Sequence, residues 1–155
     1  MTTPLTVDGV EGAKTLTGQQ LGPTDWVEIT QEQVNQFAEA TGDHQWIHVD
    51  PERAKRESPF GGPIAHGYLT LSLLVPLFGG VLRVTDTVMG VNYGLNKVRF
   101  PAPVPVGSKV RASVTLKDVA EFTGGLQNTL SVTIEREGGD KPVCIAEWVV
   151  RYYGR

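Results

Sequence analysis

The sequence predicts an α+β fold in which an antiparallel sheet wraps around one long hydrophobic helix. Apolar and polar residues alternate over residues 109–117 and 126–135, which is typical of strands with one face on a core and one in water. The stretch 64–78 is apolar on nearly all sides, which indicates a buried helix. Because strands and helices do not alternate along the chain, a doubly wound nucleotide-binding fold is disfavoured.

The first half of the chain is predicted to be mainly helical. Residues 1–22, rich in Thr, Gly and Gln, are expected to form a loosely packed lead-in, and a single domain is assigned to residues 23–155. A short strand is predicted over 26–29. A helix then begins at Thr30, which starts a capping-box pattern, and ends at Gly42, since glycine readily takes the left-handed conformation that closes a helix.

Two more helices are predicted after this one. Asp50, followed by proline, is a start signal for a short helix through about Glu57. Residues 43–48 are therefore an ordered connection between two helices. The stretch 64–78 is the central helix, and Pro76 is expected to end or kink it because proline has no amide hydrogen.

The second half of the chain is predicted to form the sheet. A long strand over 88–100 precedes a proline-rich break, and residues 138–140 are a hairpin turn. The last strand, 143–150, is almost continuously apolar and is expected to be central in the sheet. A small sheet of this kind has an exposed edge that must be covered.

Composition limits the functions that this chain can have. Its 155 residues carry a net charge of −3 without a lysine or arginine run, so no nucleic-acid partner is expected. The single cysteine, Cys144, excludes an intramolecular disulfide, is expected to be inert in the core, and fits a reducing, cytoplasmic location. The longest hydrophobic stretch is too short for a membrane span, so no membrane partner is expected.

Asp43 and His48 are the first candidates for chemistry, because neither follows the periodicity of a helix or a strand. A carboxylate and an imidazole that converge can hold one water, with one group taking a proton while the other orients the molecule. The alternative is that Asp43 caps a turn and His48 makes a local hydrogen bond. Local features alone leave both interpretations open.

Gly67 is the second candidate, since it lies near the start of the predicted central helix. The first amides of a helix have no internal acceptor and lie at its positive end, where they can polarise a carbonyl group. The alternative is that Gly67 only allows tight packing. His66 is expected to be structural, and His44 has no predicted role. No metal site is predicted, because the histidines lack a zinc-binding spacing.

These residues resemble a known family. Thr41-Gly42-Asp43-His44-Gln45-Trp46-Ile47-His48, followed by Asp50-Pro51 and Ala54, resembles the hydratase 2 motif of the MaoC-like dehydratases, the R-specific enoyl-CoA hydratases of the hot-dog fold. The sequence is especially similar to the actinobacterial members with a single hot-dog domain. Three further stretches agree: Pro63-Ile64-Ala65-His66-Gly67, residues 98–104 and residues 146–153. The resemblance covers roughly residues 25–153.

The resemblance implies a lyase of fatty acid metabolism that adds water reversibly to a trans-2-enoyl thioester and gives the (3R)-3-hydroxyacyl thioester. It implies that Asp43 and His48 are the catalytic pair and that the Gly67 amide receives the thioester carbonyl. Enoyl-CoA or 3-hydroxyacyl-CoA is then the substrate, no cofactor is expected, and the protein is expected to be a homodimer. The further residues expected to touch the substrate are Gln45, Trp46, Ile64, Lys97 and Arg99.

Gln45-Trp46 is the main departure from the family pattern, because most members have Asn-Pro at these positions. This change leaves the acid–base pair intact and bears on the acyl-chain preference. Lys97 and Arg99 are candidates for binding the CoA phosphates, with ordinary strand-surface charges as the alternative. Two other functions stay open: an acyl-CoA thioesterase of the same fold, and a non-catalytic acyl-thioester-binding subunit of a dehydratase complex.

Overall fold

The structure, a computed structural model, describes residues 3–154. Helices and strands follow one another without a repeating order. The helices are α1 Gly9–Lys14, α2 Gln31–Thr41, α3 Trp46–Val49, α4 Pro51–Glu57, α5 Gly67–Ser72 and α6 Leu74–Gly79. The strands are β1 Leu5–Asp8, β2 Gln20–Leu21, β3 Val27–Glu28, β4 Leu82–Thr85, β5 Thr87–Arg99, β6 Lys109–Phe122, β7 Gly125–Arg136 and β8 Cys144–Gly154.

A six-stranded antiparallel sheet dominates the fold, with strands in the order β2-β6-β7-β8-β5 and with β3 also paired to β6. One face of β6 and β7 is almost fully buried, as period-2 alternation predicts. The side chains on this face include Val110, Ala112, Val114, Leu116, Leu126, Leu130, Val132 and Ile134. The α+β prediction is therefore confirmed, and β8 is an internal strand as expected, because it lies between β7 and β5.

The central helix is shorter than predicted and is divided into two. It begins at Gly67 rather than at Ile64, and α5 ends at Ser72 before α6 starts. Pro76 lies inside the first turn of α6, where its missing amide hydrogen breaks no bond within that helix. The proline ring conflicts with the carbonyl four residues earlier, that of Ser72, so the helix is interrupted one turn before the proline.

The predicted lead-in over residues 1–22 contains ordered elements in the part that the structure describes, residues 3–22. β1 pairs in parallel with β4, and β2 pairs with β6. Ala13 on α1 and Leu16 just after it are almost completely buried. Apolar residues in this segment are few, but Leu16 belongs to the core, and Val7, Val10 and Leu21 pack against it.

Strand β5 is the open edge of the sheet. Within residues 3–154 it pairs on one side only, with β8, and its pairing is shifted by irregularities at three places. Large apolar side chains along it are 40–60% exposed. They are Val88, Met89, Val91, Tyr93 and Leu95. In the same range of residues, no helix has both the length and the apolar character to cross a lipid bilayer.

Candidate active site

The end of α2 places Asp43. Thr30 caps the start of this helix, with its Oγ1 accepting a hydrogen bond from the Gln33 amide at 3.1 Å. Gly42 ends it with φ of 82°, a left-handed conformation that favours glycine, so the chain turns away directly before Asp43. Oδ1 of Asp43 accepts a 3.3 Å hydrogen bond from the Gln45 amide. The Asp43 side chain stays half exposed.

His48 lies in a helical turn that the sequence did not predict. Residues 43–48 were expected to connect two helices, but Trp46–Val49 forms the one-turn helix α3, which includes His48. The His48 side chain is buried, and its Nδ1 lies 2.6 Å from the carbonyl oxygen of Ile64. Because a carbonyl only accepts, Nδ1 carries the hydrogen and Nε2 has a free lone pair. Burial lowers the pKa of His48, so the neutral ring predominates at neutral pH.

Asp43 and His48 converge, as predicted, and His66 joins them. One side-chain ligand atom from each of the three residues lies within 4.8 Å of the others. The His66 ring stacks on the His48 ring, with centroids 3.9 Å apart and planes inclined by 25°. His66 Nε2 lies 3.0 Å from the backbone oxygen of Asp43. Sequence spacing did not reveal this contact, because it depends on how two separate segments fold against each other.

The cluster of one carboxylate and two imidazoles is a donor set that metal ions also use. Each imidazole already has one nitrogen beside a backbone carbonyl, of Ile64 for His48 and of Asp43 for His66. Each ring thus offers one remaining nitrogen, which can serve a water as well as a metal. The expectation of no metal at this site stays a prediction.

Gly67 packs closely against the ring of Phe100. A Cβ at this position would be 3.1–3.2 Å from three atoms of the Phe100 ring. Gly67 is also the first residue of α5, so its amide has no acceptor within the helix. The sequence left two interpretations of Gly67 open, close packing and an amide that can bind a carbonyl group. Both therefore apply to this residue.

An apolar cavity of about 390 Å³ lies beside Gly67. Its walls come from the start of α5, the proline-rich loop after β5 and the residue before β8. The lining residues are Phe60, Ile64, Ala65, Gly67, Thr70, Phe100, Pro101, Ala102, Pro103, Val104 and Val143. Asp43 and His48 are not among them. Gly67 thus borders the cavity while its chain neighbour His66 belongs to the histidine cluster.

Thr70 is a residue of this cavity that sequence reasoning missed. Among the described residues that line the cavity, it has the only polar side chain. It is 1% exposed, and no hydrogen-bond partner for its Oγ1 exists within residues 3–154. Its position one helical turn after Gly67, on the same face, was the available signal.

A second apolar cavity, of about 290 Å³, lies between the central helices and the sheet. Leu71, Leu74 and Val75 form the helical side, and Asn92–Leu95 with Trp148 form the strand side. The Trp148 Nε1 donates a 3.0 Å hydrogen bond to Asn92 Oδ1.

Three of the predicted substrate residues lie next to the histidine cluster. Gln45 precedes α3 and is exposed, with its amide bonded to Asp43. Trp46 packs under the guanidinium of Arg53, which lies 4.3 Å from the ring centroid. The backbone of Ile64 holds α3 from both directions, because its amide donates to the Ile47 carbonyl at 3.0 Å and its carbonyl meets His48.

Lys97 and Arg99, the predicted phosphate-binding residues, lie near the end of β5 with exposed side chains. Arg99 Nη1 donates to the carbonyl of Val98 at 2.7 Å. Neither residue lines the cavity beside Gly67, but Phe100, the next residue in the chain, does. Both cations are therefore close in sequence to a residue that lines the cavity, but they do not line it themselves.

Residues 13–138 match the family model of the MaoC like domain. The chain is 55% identical over 148 residues to 3-hydroxyacyl-thioester dehydratase Z of Mycobacterium tuberculosis, which covers 95% of this chain and 97% of that protein. It is 48% identical to nodulation protein N of Rhizobium leguminosarum, over 85% of this chain and 83% of that protein. The solved (R)-hydratase from A. caviae involved in PHA biosynthesis is 28% identical, with a TM-score of 0.70 over 86% of this chain and 94% of that chain.

Proposed function

The chain belongs to the MaoC-like dehydratase family, and from this premise we propose that it adds water reversibly to a trans-2-enoyl thioester, giving the (3R)-3-hydroxyacyl thioester. It is a hydro-lyase of the hydratase 2 type. The observation that carries this function is the convergence of the Asp43 carboxylate and the His48 imidazole. The mycobacterial relative is a 3-hydroxyacyl-thioester dehydratase, and dehydration is the reverse of the same reaction.

The thioester carbonyl binds at the amide of Gly67. As water adds to C3, negative charge builds on the carbonyl oxygen, and a fixed N–H donor stabilises that charge more than it stabilises the ground state. Two observations support this position. Gly67 lines the apolar cavity, and it follows His66, which belongs to the same cluster as the catalytic pair.

Asp43 and His48 handle the water together. The free lone pair on His48 Nε2 accepts a hydrogen bond or a proton, and the half-exposed Asp43 carboxylate orients the water through a second hydrogen bond. Between them the two groups take a proton from the water and deliver one to C2. These two side chains supply the acid–base chemistry in this proposal, which assigns no step to a cofactor.

The acyl group occupies the apolar cavity that Gly67 borders, because that cavity adjoins the position of the thioester carbonyl. The exposed cations Lys97 and Arg99 meet the phosphates of CoA outside it. Gln45 and Trp46 border the catalytic pair and bear on which acyl groups fit. Cys144 is a buried free thiol, which supports a location in the reducing cytoplasm.

The protein acts as a homodimer that forms through β5. The support is the row of exposed apolar side chains on an edge strand with unpaired backbone groups, which a second copy can cover. Light scattering on a sizing column tests this: Val91→Lys should give monomers, whereas Gln20→Lys on the opposite edge of the sheet should not. A Val91→Lys protein that elutes with the wild-type mass would refute this interface.

A hydration assay on the wild-type protein tests the function. With crotonyl-CoA, the enoyl absorbance should fall without release of free thiol, and chiral analysis should identify (3R)-3-hydroxybutyryl-CoA. Thiol release without loss of the enoyl group would establish a thioesterase instead. Inactivity toward enoyl-CoA substrates of all chain lengths, with activity restored by a partner protein, would establish a non-catalytic subunit.

A further inference from the structure

His66 is a buried polar residue of the site, and it has no role in the proposed reaction. Its side chain is 3% exposed, and its Nδ1 has no hydrogen-bond partner in the part of the chain that the structure describes. Leaving a buried polar atom unpaired costs about 1–3 kcal/mol, which a phenylalanine at this position would avoid. Packing alone therefore does not account for an imidazole here.

The Nε2 atom of His66 makes a contact that only a hydrogen-bond donor can make. It lies 3.0 Å from the backbone oxygen of Asp43, and because that oxygen only accepts, Nε2 carries the hydrogen. This bond ties the residue before α5 to the turn that carries the catalytic carboxylate. The Asp43 side chain is held separately, because its Oδ1 accepts a 3.3 Å hydrogen bond from the Gln45 amide.

The ring of His66 makes the second contact, with the other catalytic group. It stacks on His48 at 3.9 Å and also packs against Phe37, with ring centroids 4.8 Å apart. The His48 imidazole is thus held by its Nδ1 bond to Ile64 and by the face of His66. One residue therefore touches both members of the catalytic pair, each through a different part of its side chain.

We propose that His66 is a positioning residue, which holds the backbone at Asp43 and the ring of His48 so that both groups reach the same water. The inference rests on the proposed function. Loss of the Nε2 donor should slow the chemical step and leave substrate binding nearly unchanged, because His66 lines neither apolar cavity. A displacement of reacting groups by about 1 Å can lower a rate by roughly 10²-fold.

Three substitutions separate positioning from packing. His66→Phe keeps a ring on His48 without the donor, His66→Gln places an amide donor near the position of Nε2, and His66→Asn has a donor that is too short. We expect His66→Phe and His66→Asn to lower kcat for crotonyl-CoA by about 30- to 100-fold, with KM within about threefold. His66→Gln should keep at least about fivefold more activity than His66→Asn. The melting temperature of His66→Phe should change little, because removal of the unpaired Nδ1 offsets loss of the Nε2 hydrogen bond.

A kcat for His66→Phe within about threefold of the wild type would overturn the proposal. If that variant does not fold, the Gln and Asn variants decide, and equal kcat in the two overturns it. If the wild type hydrates no enoyl thioester, the proposed function fails, and hydrogen exchange tests positioning independently. Amides of residues 41–49 should then exchange faster in His66→Asn than in the wild type and in His66→Gln, and unchanged exchange overturns the proposal.

Discussion

The long strands β6, β7 and β8 and the segment from Asp43 to Thr70 differ in how many polar side chains they bury. The strands bury mainly aliphatic residues, and their backbone groups pair in long ladders with one register shift, between Leu116 and Asp118. The segment buries two imidazoles and a hydroxyl, and two of the polar atoms have no partner within residues 3–154. The sheet therefore contributes most of the stability, whereas the site keeps unpaired polar groups that are available for catalysis.

Asn128 is the exception on the strand side. It is fully buried on β7, and neither of its side-chain polar atoms has a partner among the described residues. Nothing else in the structure explains an amide at this position. If stability resides in the sheet and activity in the site, substitutions in the two regions should change different measured quantities.

The largest effect is expected from removal of the catalytic pair. Asp43→Asn and His48→Ala should each lower kcat for enoyl-CoA hydration by about two to four decades, because each removes an acid–base group. The Asp43 variant should melt within a few degrees of the wild type, since that side chain is half exposed. Glu39→Gln, an exposed change on the neighbouring helix, is the matched control. Near-normal turnover in Asp43→Asn would break the assignment.

A substitution in the sheet should lower the stability of the protein and leave the activity of its folded fraction unchanged. Leu130 is fully buried on β7, so Leu130→Ala should lower the free energy of unfolding by about 2–5 kcal/mol. The folded fraction should hydrate with wild-type kcat. Urea unfolding followed by fluorescence measures the first effect and steady-state kinetics the second. Ile145→Ala on β8, at a 39% exposed position, should change the unfolding free energy much less.

His48 should give the site a pH dependence on the acid side. Burial holds the pKa of His48 below its ordinary value, so between the two values the unfolded chain binds a proton that the native chain does not. Stability therefore rises with pH through this interval and is lost as the pH falls. We expect the acid limb of kcat/KM to titrate below about pH 6.5.

His48→Gln is the control for this pH dependence. The free energy of unfolding of the wild type should fall as the pH is lowered through about 6.5, and the slope should be shallower in His48→Gln. An acid limb of kcat/KM above the ordinary histidine value would contradict a buried neutral base.

The smallest effect is expected at Thr70. Thr70→Val replaces an unpaired buried hydroxyl with a methyl group of similar size, so it should raise the free energy of unfolding by about 1 kcal/mol. Thr70→Ser keeps the hydroxyl and should not be stabilised. Thermal unfolding compares the three proteins. A Thr70→Val protein that is less stable than the wild type would show that the hydroxyl has a partner, such as a bound water.

The sheet was predictable because its signal is local. Alternation of apolar and polar residues identifies a strand from neighbours in sequence, and β6 and β7 contain the segments predicted in this way. β8, predicted from its apolar run, begins one residue later than expected, at Cys144. The ends of the strands were underestimated, because residues such as Val119 and Tyr152 lie where the alternation fades. The interruption of the central helix was misplaced by one turn, because a proline acts on the carbonyl four residues before it.

The site was predictable only in part. The motif around Asp43 and His48 marked the pair, but their distance and the tautomer of His48 depend on the carbonyl of Ile64. His66 was expected to be structural, and its contacts with both residues arise from the packing of α2, α3 and the start of α5 against one another. Such contacts between separate segments leave no periodic trace in a sequence.

Because β5 is an open edge, the stability of the protein should depend on its concentration. Within residues 3–154, the thirteen residues of β5 pair on one side only, so another strand can add to the other side, in register or out of it. If a second copy occupies this edge, mass action raises the melting temperature as the protein is concentrated. Dilution then lowers the stability of the folded protein. At high protein concentration, a β5 edge that is not covered can instead pair with unfolded chains and cause aggregation.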